Sequence, residues 1–157
     1  MYIIIACIGK NNELGLNNDL VFHIKEDLEF FKKTTYNHYV LMGRKTLESL
    51  PKKLEGRKYL VISSSLESSE YPIFKSINDV LKFKTEEDIY VIGGESIYKE
   101  MIKYSDKIIL TIVDKSVKAD KYFPSFNVDE YDSIVLGEYT FNDLKYTRKI
   151  YTRKKEV

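Results

Sequence analysis

Asp27 is the residue whose sequence context most strongly invites a chemical role. Residues four apart on a helix share one face, so a helix here would place the Asp27 carboxylate above the ring of Phe31. On the same helix Glu26 and Glu29 are expected to point elsewhere. Helix capping explains the same position, because an acidic side chain in a first turn interacts favourably with the helix dipole. The position alone leaves a functional carboxylate and a capping one both open.

Two glycine-containing segments, residues 42–46 and 91–96, stand where a strand is expected to pass into a helix. Gly43 in the first and Gly93 and Gly94 in the second would leave the free N–H groups of a helix start open to a phosphate. Neither segment matches the dinucleotide fingerprint or the P-loop, so each alone is more typical of an ordinary tight turn. Together they favour a dinucleotide site.

The neighbours of these glycines indicate which dinucleotide would bind. Parallel sheets bind ligands at the carboxyl ends of their strands, and residues 63–65, three serines, follow a third predicted strand. Arg44 and Lys45 stand beside Gly43 and would favour a cofactor that carries an extra phosphate. The expected cofactor is therefore NADPH rather than NADH.

Other kinds of chemistry have little support. His23 and His38 have no Cys or acidic partner at metal-ligand spacing, so we expect loop or surface histidines and no metal. Cys7 has no identifiable His partner, and the chain has no Gly-x-Ser-x-Gly motif, which argues against a nucleophilic hydrolase. The basic stretch 148–155 could bind nucleic acid, but Lys and Arg also protect an exposed edge strand, and we favour that explanation.

The composition is that of an ordinary globular domain. Of the 157 residues 43% are hydrophobic and 31% charged, and the formal net charge is +1, so no overall attraction to nucleic acid or membrane is expected. The apolar run around Cys7 is too short to span a membrane and lacks the features of a signal peptide. We expect one domain, residues 1–157, in the reducing cytoplasm.

The elements that must position these residues alternate along the chain. Short apolar runs predict strands buried on both faces of a sheet, at residues 2–8, 39–42, 59–62, 89–92 and 108–113. Helical spacing occurs between them, at residues 25–34, 45–50, 77–84 and 95–104, and Ser76 and Asp79 have the spacing of a capping box. The order predicts an α/β fold with a mostly parallel, doubly wound central sheet and helices on both faces.

The end of the chain has a different pattern. Residues 132–139 and 146–153 form two strand-like runs on either side of Asn142 and Asp143, a pair typical of a turn. An antiparallel hairpin at the sheet edge is expected.

Taken in order, these segments resemble the bacterial dihydrofolate reductases over essentially the full length of the chain. The resemblance rests on Ile5-Ala6, Leu14-Gly15, Asn18-Asp19-Leu20, Asp27-Leu28, Phe31-Lys32, residues 42–46, Glu48-Ser49, Gly56-Arg57, Ser63-Ser64, Ile92-Gly93-Gly94, Ile97-Tyr98, Leu110-Thr111, Asp120 and Phe123-Pro124. So many matches at the family's spacing join the separate local patterns into a single expected site.

The resemblance implies a substrate half of the site. Asp27 would pair with a ring nitrogen and the exocyclic amino group of a dihydropterin, helped by the Thr111 hydroxyl. The remaining substrate contacts would be the main-chain carbonyls of Ile5 and Ile92, the side chains of Phe31, Leu50 and Leu54, and Arg57 for the tail carboxylate, with Lys52 as an alternative.

The resemblance also implies a cofactor half and a lid. Residues 14–24 would form a mobile lid over the nicotinamide, and the Gly93–Gly94 peptide bond would be cis. The implied cofactor contacts are Cys7, Leu14, Gly15, Asn18, Asp19, Leu20, Gly43, Arg44, Lys45, Thr46, Ser63, Ser64, Lys75, Gly93, Gly94, Glu95, Ser96, Ile97 and Tyr98.

The implied reaction passes a hydride from the nicotinamide to a pterin carbon, while water protonates the neighbouring nitrogen. Asp27, Thr111 and the lid residues Leu20 and Phe22 are the expected catalytic group. Two departures concern the lid: the family usually has Pro-Trp where this chain has Val21-Phe22, and Phe has no N–H to hold an ordered water. Lys25, where many relatives have Pro, removes a rigid helix start.

Two other functions are compatible with parts of the sequence. One is a related NADPH reductase that acts on a different pyrimidine-like ring, against which Asp27, Phe31, Arg57 and Thr111 argue. The other is a nucleotide-binding regulator that has kept the fold without the chemistry, favoured only by Phe22. For the family resemblance a monomer is the expected assembly.

Overall fold

The computed structural model describes residues 1–50, 54–66 and 70–155. The strands in this part of the chain are β1 (Tyr2–Ile8), β2 (Glu13–Leu16), β3 (Asp19–Leu20), β4 (Tyr39–Gly43), β5 (Lys58–Ile62), β6 (Ile73–Phe74), β7 (Ile89–Gly93), β8 (Ser105–Val113), β9 (Lys121–Tyr122), β10 (Tyr131–Phe141) and β11 (Leu144–Arg153). The helices are α1 (Lys25–Thr35), α2 (Arg44–Ser49), α3 (Ile77–Leu81) and α4 (Glu95–Met101), with 3-10 turns at Ile102–Tyr104 and Val128–Glu130.

The central sheet has the order β10-β11-β8-β1-β7-β4-β5-β6. All neighbours from β8 to β6 run parallel, whereas β11 is antiparallel to β8 and to β10. The turn of the β10–β11 hairpin is formed by Asn142 and Asp143, whose φ angles are +46° and +65°, a backbone form that these residue types tolerate. The predicted parallel sheet and antiparallel edge hairpin are confirmed.

Helices cover both faces of this sheet because successive side chains of each strand point to opposite sides. Along β1, Ile3 and Ile5 pack in the same core cluster as side chains of α1 and α2. Ile4 and Ile8 pack on the other side with side chains of α3 and α4, including the fully buried Met101. The doubly wound arrangement expected from the alternation of strand and helix is therefore confirmed.

Several element ends differ from the prediction. β8 begins at Ser105 rather than at Ile108, because the apolar run marks only the most buried part of the strand. The fourth helix ends at Met101 and continues as a 3-10 turn, and the third ends at Leu81. Ser76 caps α3 as expected, since its hydroxyl accepts the N–H of Asp79. β6 and the small sheet β3-β2-β9 were not predicted, since strands this short carry too little hydrophobic pattern.

The edge-strand explanation for the basic stretch 148–155 is wrong. β11 lies between β10 and β8, so the strand at the edge is β10. The register of β10 shifts between Val135 and Gly137, and a bulge of this kind interrupts an edge that could otherwise pair with another chain. Arg148 has a different role because it is buried, with 2% of its side chain exposed. No helix in the described residues is long and apolar enough to cross a membrane.

Candidate active site

β1 and β7 stop pairing before the carboxyl end of β1, and the gap beyond their last pair is called the cleft below. The β1–β7 ladder stops at the pair Ile4–Val91, whereas the β1–β8 ladder continues to Ile8–Ile112. Ile5 and Ile92 are the next residues after the ladder ends, so their main chains border the cleft. Parallel sheets bind ligands at such a position, beyond the carboxyl ends of diverging strands.

Asp27 reaches the sheet from the first turn of α1. The Thr111 hydroxyl, on β8, donates a hydrogen bond to Asp27 Oδ1 over 2.5 Å, and 17% of the Asp27 side chain is exposed. The N-cap of α1 is Ile24, whose side chain makes no capping bond. The Asp27 carboxylate thus bonds a residue of β8, while its place in the first turn of α1 also allows the favourable interaction with the helix dipole.

Arg148 is part of the site and was missed by the sequence argument. Its Nη2 lies 2.7 Å from Asp27 Oδ1 and 3.1 Å from Glu26 Oε1, and its Nε donates to Thr111 Oγ1 over 3.2 Å. The guanidinium carbon lies 3.9 Å from the centre of the Phe30 ring. The alternation of β11, with Tyr146 and position 148 on one face, was the signal that could have found it.

The expectation that Glu26 points away from Asp27 is also wrong. Glu26 accepts hydrogen bonds from Arg148 and, over 2.6 Å, from the Tyr146 hydroxyl. Burial alone would raise the pKa of Glu26, but these hydrogen bonds outweigh it and the pKa lies below its ordinary value. For Arg148, burial would lower the pKa, and the hydrogen bonds to Glu26 and Asp27 raise it instead. The guanidinium is therefore a permanent positive charge beside two carboxylates.

Cys7 lies next to the same cluster, on β1. Burial is the main cause that raises the pKa of its thiol, and the charge of Asp27 and a hydrogen bond with it add to the increase. The thiol is therefore neutral at physiological pH and lies beside Asp27. It is a free cysteine, as expected.

Apolar side chains form the wall of the cleft next to Asp27. Phe31, Leu50, Leu54 and Ile92 are each half-buried, and all pack against the core cluster that contains Ile5. A half-buried apolar surface of this kind suits a flat aromatic ligand, which could cover the exposed part of each side chain. The structure thus brings the expected apolar contacts together on one side of the cleft.

Arg57 contacts the C-terminal end of α1, the helix whose first turn contains Asp27. Its Nε donates to Thr35 Oγ1 over 3.2 Å, and its terminal nitrogens donate to the main-chain carbonyls of Glu55 and Lys32. These contacts fix the plane of the guanidinium, and the side chain remains partly exposed. The alternative tail contact, Lys52, lies outside the described residues.

The two glycine junctions lie side by side at the carboxyl ends of β4 and β7. A Cβ atom at Gly93 or Gly94 would lie 3.4 or 3.5 Å from Thr46 Oγ1, and a Cβ at Gly43 would lie 3.3 Å from Ile97 Cγ1. Gly93 has a φ of +129°, which L side chains rarely adopt, and the Gly93–Gly94 bond is cis, as the resemblance implied. Side chains here would fill the space in front of the uncapped starts of α2 and α4.

Polar and basic residues surround these junctions. Arg44 pairs with Glu48 over 2.9 Å, and Lys45 is exposed. Ser63 is buried at the end of β5, where its hydroxyl accepts the N–H groups of residues 65 and 66, while Ser64 is exposed. Lys75 lies beside this loop because its ammonium donates to the carbonyl of residue 66 over 2.6 Å.

The start of α4 is tied to the neighbouring small sheet. Glu95 accepts the N–H of Tyr122, on β9, over 2.6 Å. Ile97 and Tyr98 are buried against the core, and Ser96 is exposed. Of the cofactor contacts expected in this helix, Ser96 is therefore exposed to solvent, whereas the Glu95 carboxylate already accepts the main-chain N–H of Tyr122.

The expected lid, residues 14–24, is folded against β9. The N–H of Asn17 donates to the Asp120 carboxylate over 3.1 Å, and the N–H of Asp120 donates to the Gly15 carbonyl over 2.9 Å. Leu14 and Gly15 are buried in β2, whereas residues 18–20 are exposed at the turn into β3. The tip of the lid is thus free to contact a ligand while its base is hydrogen-bonded.

Phe22 and Glu13 occupy buried positions at the base of the lid. Phe22 packs in a cluster with Tyr146 and the half-buried Cys7, so its ring lies close to the Asp27 cluster. Glu13, which the sequence argument did not single out, is 1% exposed and accepts hydrogen bonds from the Ser116 hydroxyl and from the main-chain N–H groups of Asn11 and Val117. Its carboxylate joins the base of the lid to residues 116 and 117.

Comparisons with known proteins agree with this architecture. The family model for dihydrofolate reductase matches residues 1–153. The chain is 39% identical to the dihydrofolate reductase of Buchnera aphidicola (Acyrthosiphon pisum) over 131 residues, 82% of this chain and 81% of the relative. It is 35% identical to the dihydrofolate reductase of Bacillus subtilis over 130 residues, 81% of this chain and 77% of the relative.

A solved structure of similar fold is the dihydrofolate reductase from Enterococcus faecalis complexed with NADP(H) and RAB-propyl. The TM-score is 0.90 at 21% sequence identity, with 99% of this chain and 97% of that chain covered. This likeness confirms the predicted fold class, and the family match over most of the chain confirms the predicted enzyme class. The chain belongs to the dihydrofolate reductase family.

Proposed function

We propose that the chain reduces dihydrofolate to tetrahydrofolate with NADPH as the hydride donor. The observation that carries this proposal is the Asp27 carboxylate, held by Thr111 over 2.5 Å at the edge of an apolar cleft. A half-buried carboxylate can accept two parallel N–H bonds from a ring nitrogen and its neighbouring amino group, which is the hydrogen-bonding edge of a pterin. The family membership of the chain supports the same substrate.

The rest of the substrate half follows from what surrounds Asp27. The main chains of Ile5 and Ile92, beyond the end of the β1–β7 ladder, offer carbonyl acceptors for the pterin amino groups. The half-buried side chains of Phe31, Leu50 and Leu54 would cover the flat rings. Arg57, with its guanidinium plane fixed by the end of α1, would take the tail carboxylate as a bidentate pair.

NADPH would be held by the glycine junctions and the residues around them. Gly93 and Gly94 lie beside Thr46 and have no side chains of their own, which fits a ligand lying against the main chain. Arg44 and Lys45, with Ser63, Ser64 and Lys75, would take the phosphate that distinguishes NADPH from NADH. When bound, NADPH supplies the hydride.

The role of Asp27 in the reaction is electrostatic. A pterin carbon becomes a better hydride acceptor when the adjacent imine nitrogen is protonated, and a negative charge at the edge of the ring favours that protonated form. In our proposal a water molecule brings the proton, while Asp27 and Thr111 hold the ring in place. The exposed Leu20 at the lid tip and the buried Phe22 would limit the access of other water.

The proposed reaction is tested by mixing the purified chain with NADPH and dihydrofolate and following the loss of NADPH absorbance. We expect turnover that requires both compounds and that is much slower with NADH. A related reductase would oxidise NADPH only with a different pyrimidine-like ring, and a nucleotide-binding regulator would bind NADPH without oxidising it. Either result would contradict the proposal.

We further infer that residues 1–157 act as one monomeric domain in the cytoplasm. The support is the continuous central sheet, whose cores on both faces draw on residues from both ends of the chain. Such a domain should unfold in a single cooperative transition and should sediment as one chain. Two separate transitions or a dimer in sedimentation would contradict this inference.

A further inference from the structure

Arg148 and Thr111 form a closed ring of hydrogen bonds with Asp27. Arg148 Nε donates to Thr111 Oγ1 over 3.2 Å, the Thr111 hydroxyl donates to Asp27 Oδ1 over 2.5 Å, and Arg148 Nη2 donates to the same oxygen over 2.7 Å. Because Nε–H occupies an acceptor position of the Thr111 oxygen, the hydroxyl proton is directed to Asp27. Thr111 and Arg148 thus both donate to Oδ1, and among the described residues no N–H or O–H group donates to Oδ2.

The charge of Arg148 is balanced by a second carboxylate. Arg148 Nη2 lies 3.1 Å from Glu26 Oε1 and 2.7 Å from Asp27 Oδ1, so one buried cation lies between two acids of α1. Its guanidinium is also packed against the rings of Phe30 and Tyr139, at 3.9 and 5.0 Å. By formal charge the three groups leave one net negative charge at the edge of the cleft. Without Glu26 that charge would be cancelled.

We propose that Arg148 is a positioning residue that orients the Asp27 carboxylate and, together with Glu26, sets the net charge that the substrate meets. The inference rests on the proposed function and adds a residue to it. Arg148 and Thr111 both hold Oδ1, and these two bonds fix the plane of the carboxylate that the ring nitrogen and the amino group of the pterin would meet. Glu26 keeps the cluster negative in spite of the buried guanidinium.

The ionisable and polar groups that face this cluster come from every element packed against it. They are Lys33 on α1 near Glu26, Cys7 on β1 near Asp27, Thr111 on β8, Tyr146 on β11 bonded to Glu26, and Tyr139 on β10 against Arg148. Burial is the main cause that raises the pKa values of Cys7 and Tyr146. Both groups stay neutral near neutral pH, so the balance depends on the two acids and the guanidinium.

The experiment measures single-turnover hydride transfer from NADPH to dihydrofolate across pH. Arg148→Met removes the positive charge, so the protonated substrate becomes more favoured and the midpoint of the profile should move up by about one pH unit. Glu26→Gln removes a negative charge and should move the midpoint down. The double variant restores one net negative charge, and its midpoint should return near that of the unmodified chain.

Two further variants separate position from charge and from folding. Arg148→Lys keeps the charge but lacks Nε, so the rate should fall with little change in the midpoint. Arg153→Met removes an arginine from the other end of the same strand, where it bonds Tyr131 and the Ile102 carbonyl over 2.8 and 2.7 Å, and should leave the profile unchanged. Glu26 is half-exposed, so Glu26→Gln is expected to fold even if Arg148→Met does not.

Opposite shifts for Arg148→Met and Glu26→Gln support the proposal, and so does a downward shift for Glu26→Gln if the other variant does not fold. Shifts in the same direction, or profiles equal to that of Arg153→Met, would overturn it. If the unmodified chain transfers no hydride from NADPH to dihydrofolate, the proposed function fails instead. If the unmodified chain is active and the variants follow the control, only the role of Arg148 is refuted.

Discussion

The hydroxyl of Tyr98, on α4, donates a buried hydrogen bond of 2.8 Å to the main-chain carbonyl of Ile5, on β1. Ile5 is the first residue of β1 beyond the end of the β1–β7 ladder. The Tyr98 hydroxyl therefore takes the place of a ladder hydrogen bond at the point where the strands diverge. The contact links the helix expected to bind the cofactor to the strand expected to border the substrate.

Tyr98→Phe tests the strength of this link. The variant removes the donor and leaves the Ile5 carbonyl buried, so the free energy of unfolding should fall by about 1–3 kcal/mol. Urea denaturation measures the loss, and Tyr104→Phe, at an exposed position, is the matched control with no expected change. Equal stability of the two variants would show that another donor or water satisfies the carbonyl.

Arg44→Ala tests the preference for NADPH. A charge-assisted contact with the extra phosphate contributes about 1–3 kcal/mol, so NADPH binding should weaken by that amount while NADH binding changes little. Arg44 also pairs with Glu48, and Glu48→Gln serves as the control for losing that pair alone. Equal weakening of both cofactors, or equal use of both by the unmodified chain, would refute the assignment.

Arg57→Lys tests the contact with the tail of the substrate. Lysine keeps the charge but not the planar fork that the carbonyls of Glu55 and Lys32 hold in place. The KM for dihydrofolate should rise while the Kd for NADPH stays constant. An unchanged KM would point to another cation, and a rise in KM for Lys52→Ala would identify it.

Glu13 gives a prediction for stability in acid. Burial would raise the pKa of this carboxyl, but hydrogen bonds from Ser116 and from main-chain N–H groups outweigh it, so the pKa in the folded state lies below the ordinary value of 4.5. A lowered pKa contributes stability that is complete above pH 4.5 and is lost as the pH falls below it. Glu13→Gln should therefore lower the unfolding free energy at neutral pH and flatten its acid dependence.

The control for Glu13→Gln is Glu100→Gln, an exposed position on α4. Both variants are compared by chemical denaturation at several pH values between neutrality and the acid limit of folding. If the two behave alike at every pH, Glu13 does not stabilise the base of the lid through its carboxylate.

The sequence predicted the parts of the site whose signals are local. Gly43 and Gly93 stand at strand-to-helix junctions that the sequence pattern marks, and Asp27 and Phe31 have helical spacing. The contact between Asp27 and Thr111 spans 84 residues, and only the family resemblance could join them. Local pattern and resemblance together therefore predicted a substrate half and a cofactor half.

The burial of Arg148 depends on tertiary contacts that local sequence pattern does not show. In sequence Arg148 belongs to a basic stretch that resembles a solvated strand, and the alternation of β11 indicates which face it shares with Tyr146 but not that this face is buried. Its burial depends on β11 being second from the edge and on Glu26 and Asp27 of α1 facing the same strand. Both facts are tertiary, since a buried arginine is stable only where carboxylates compensate its charge.

The measurement that tests the central claim most directly is single-turnover hydride transfer of Asp27→Asn across pH, together with its thermal midpoint. Asparagine can donate and accept hydrogen bonds but has no negative charge, so the substrate must take its proton from bulk acid. We predict a folded variant that binds NADPH, loses hydride transfer at neutral pH by orders of magnitude and regains part of the rate at lower pH. Glu29→Gln, exposed on the same helix, should behave as the unmodified chain. A stable Asp27→Asn variant with unchanged rates at neutral pH would contradict the account.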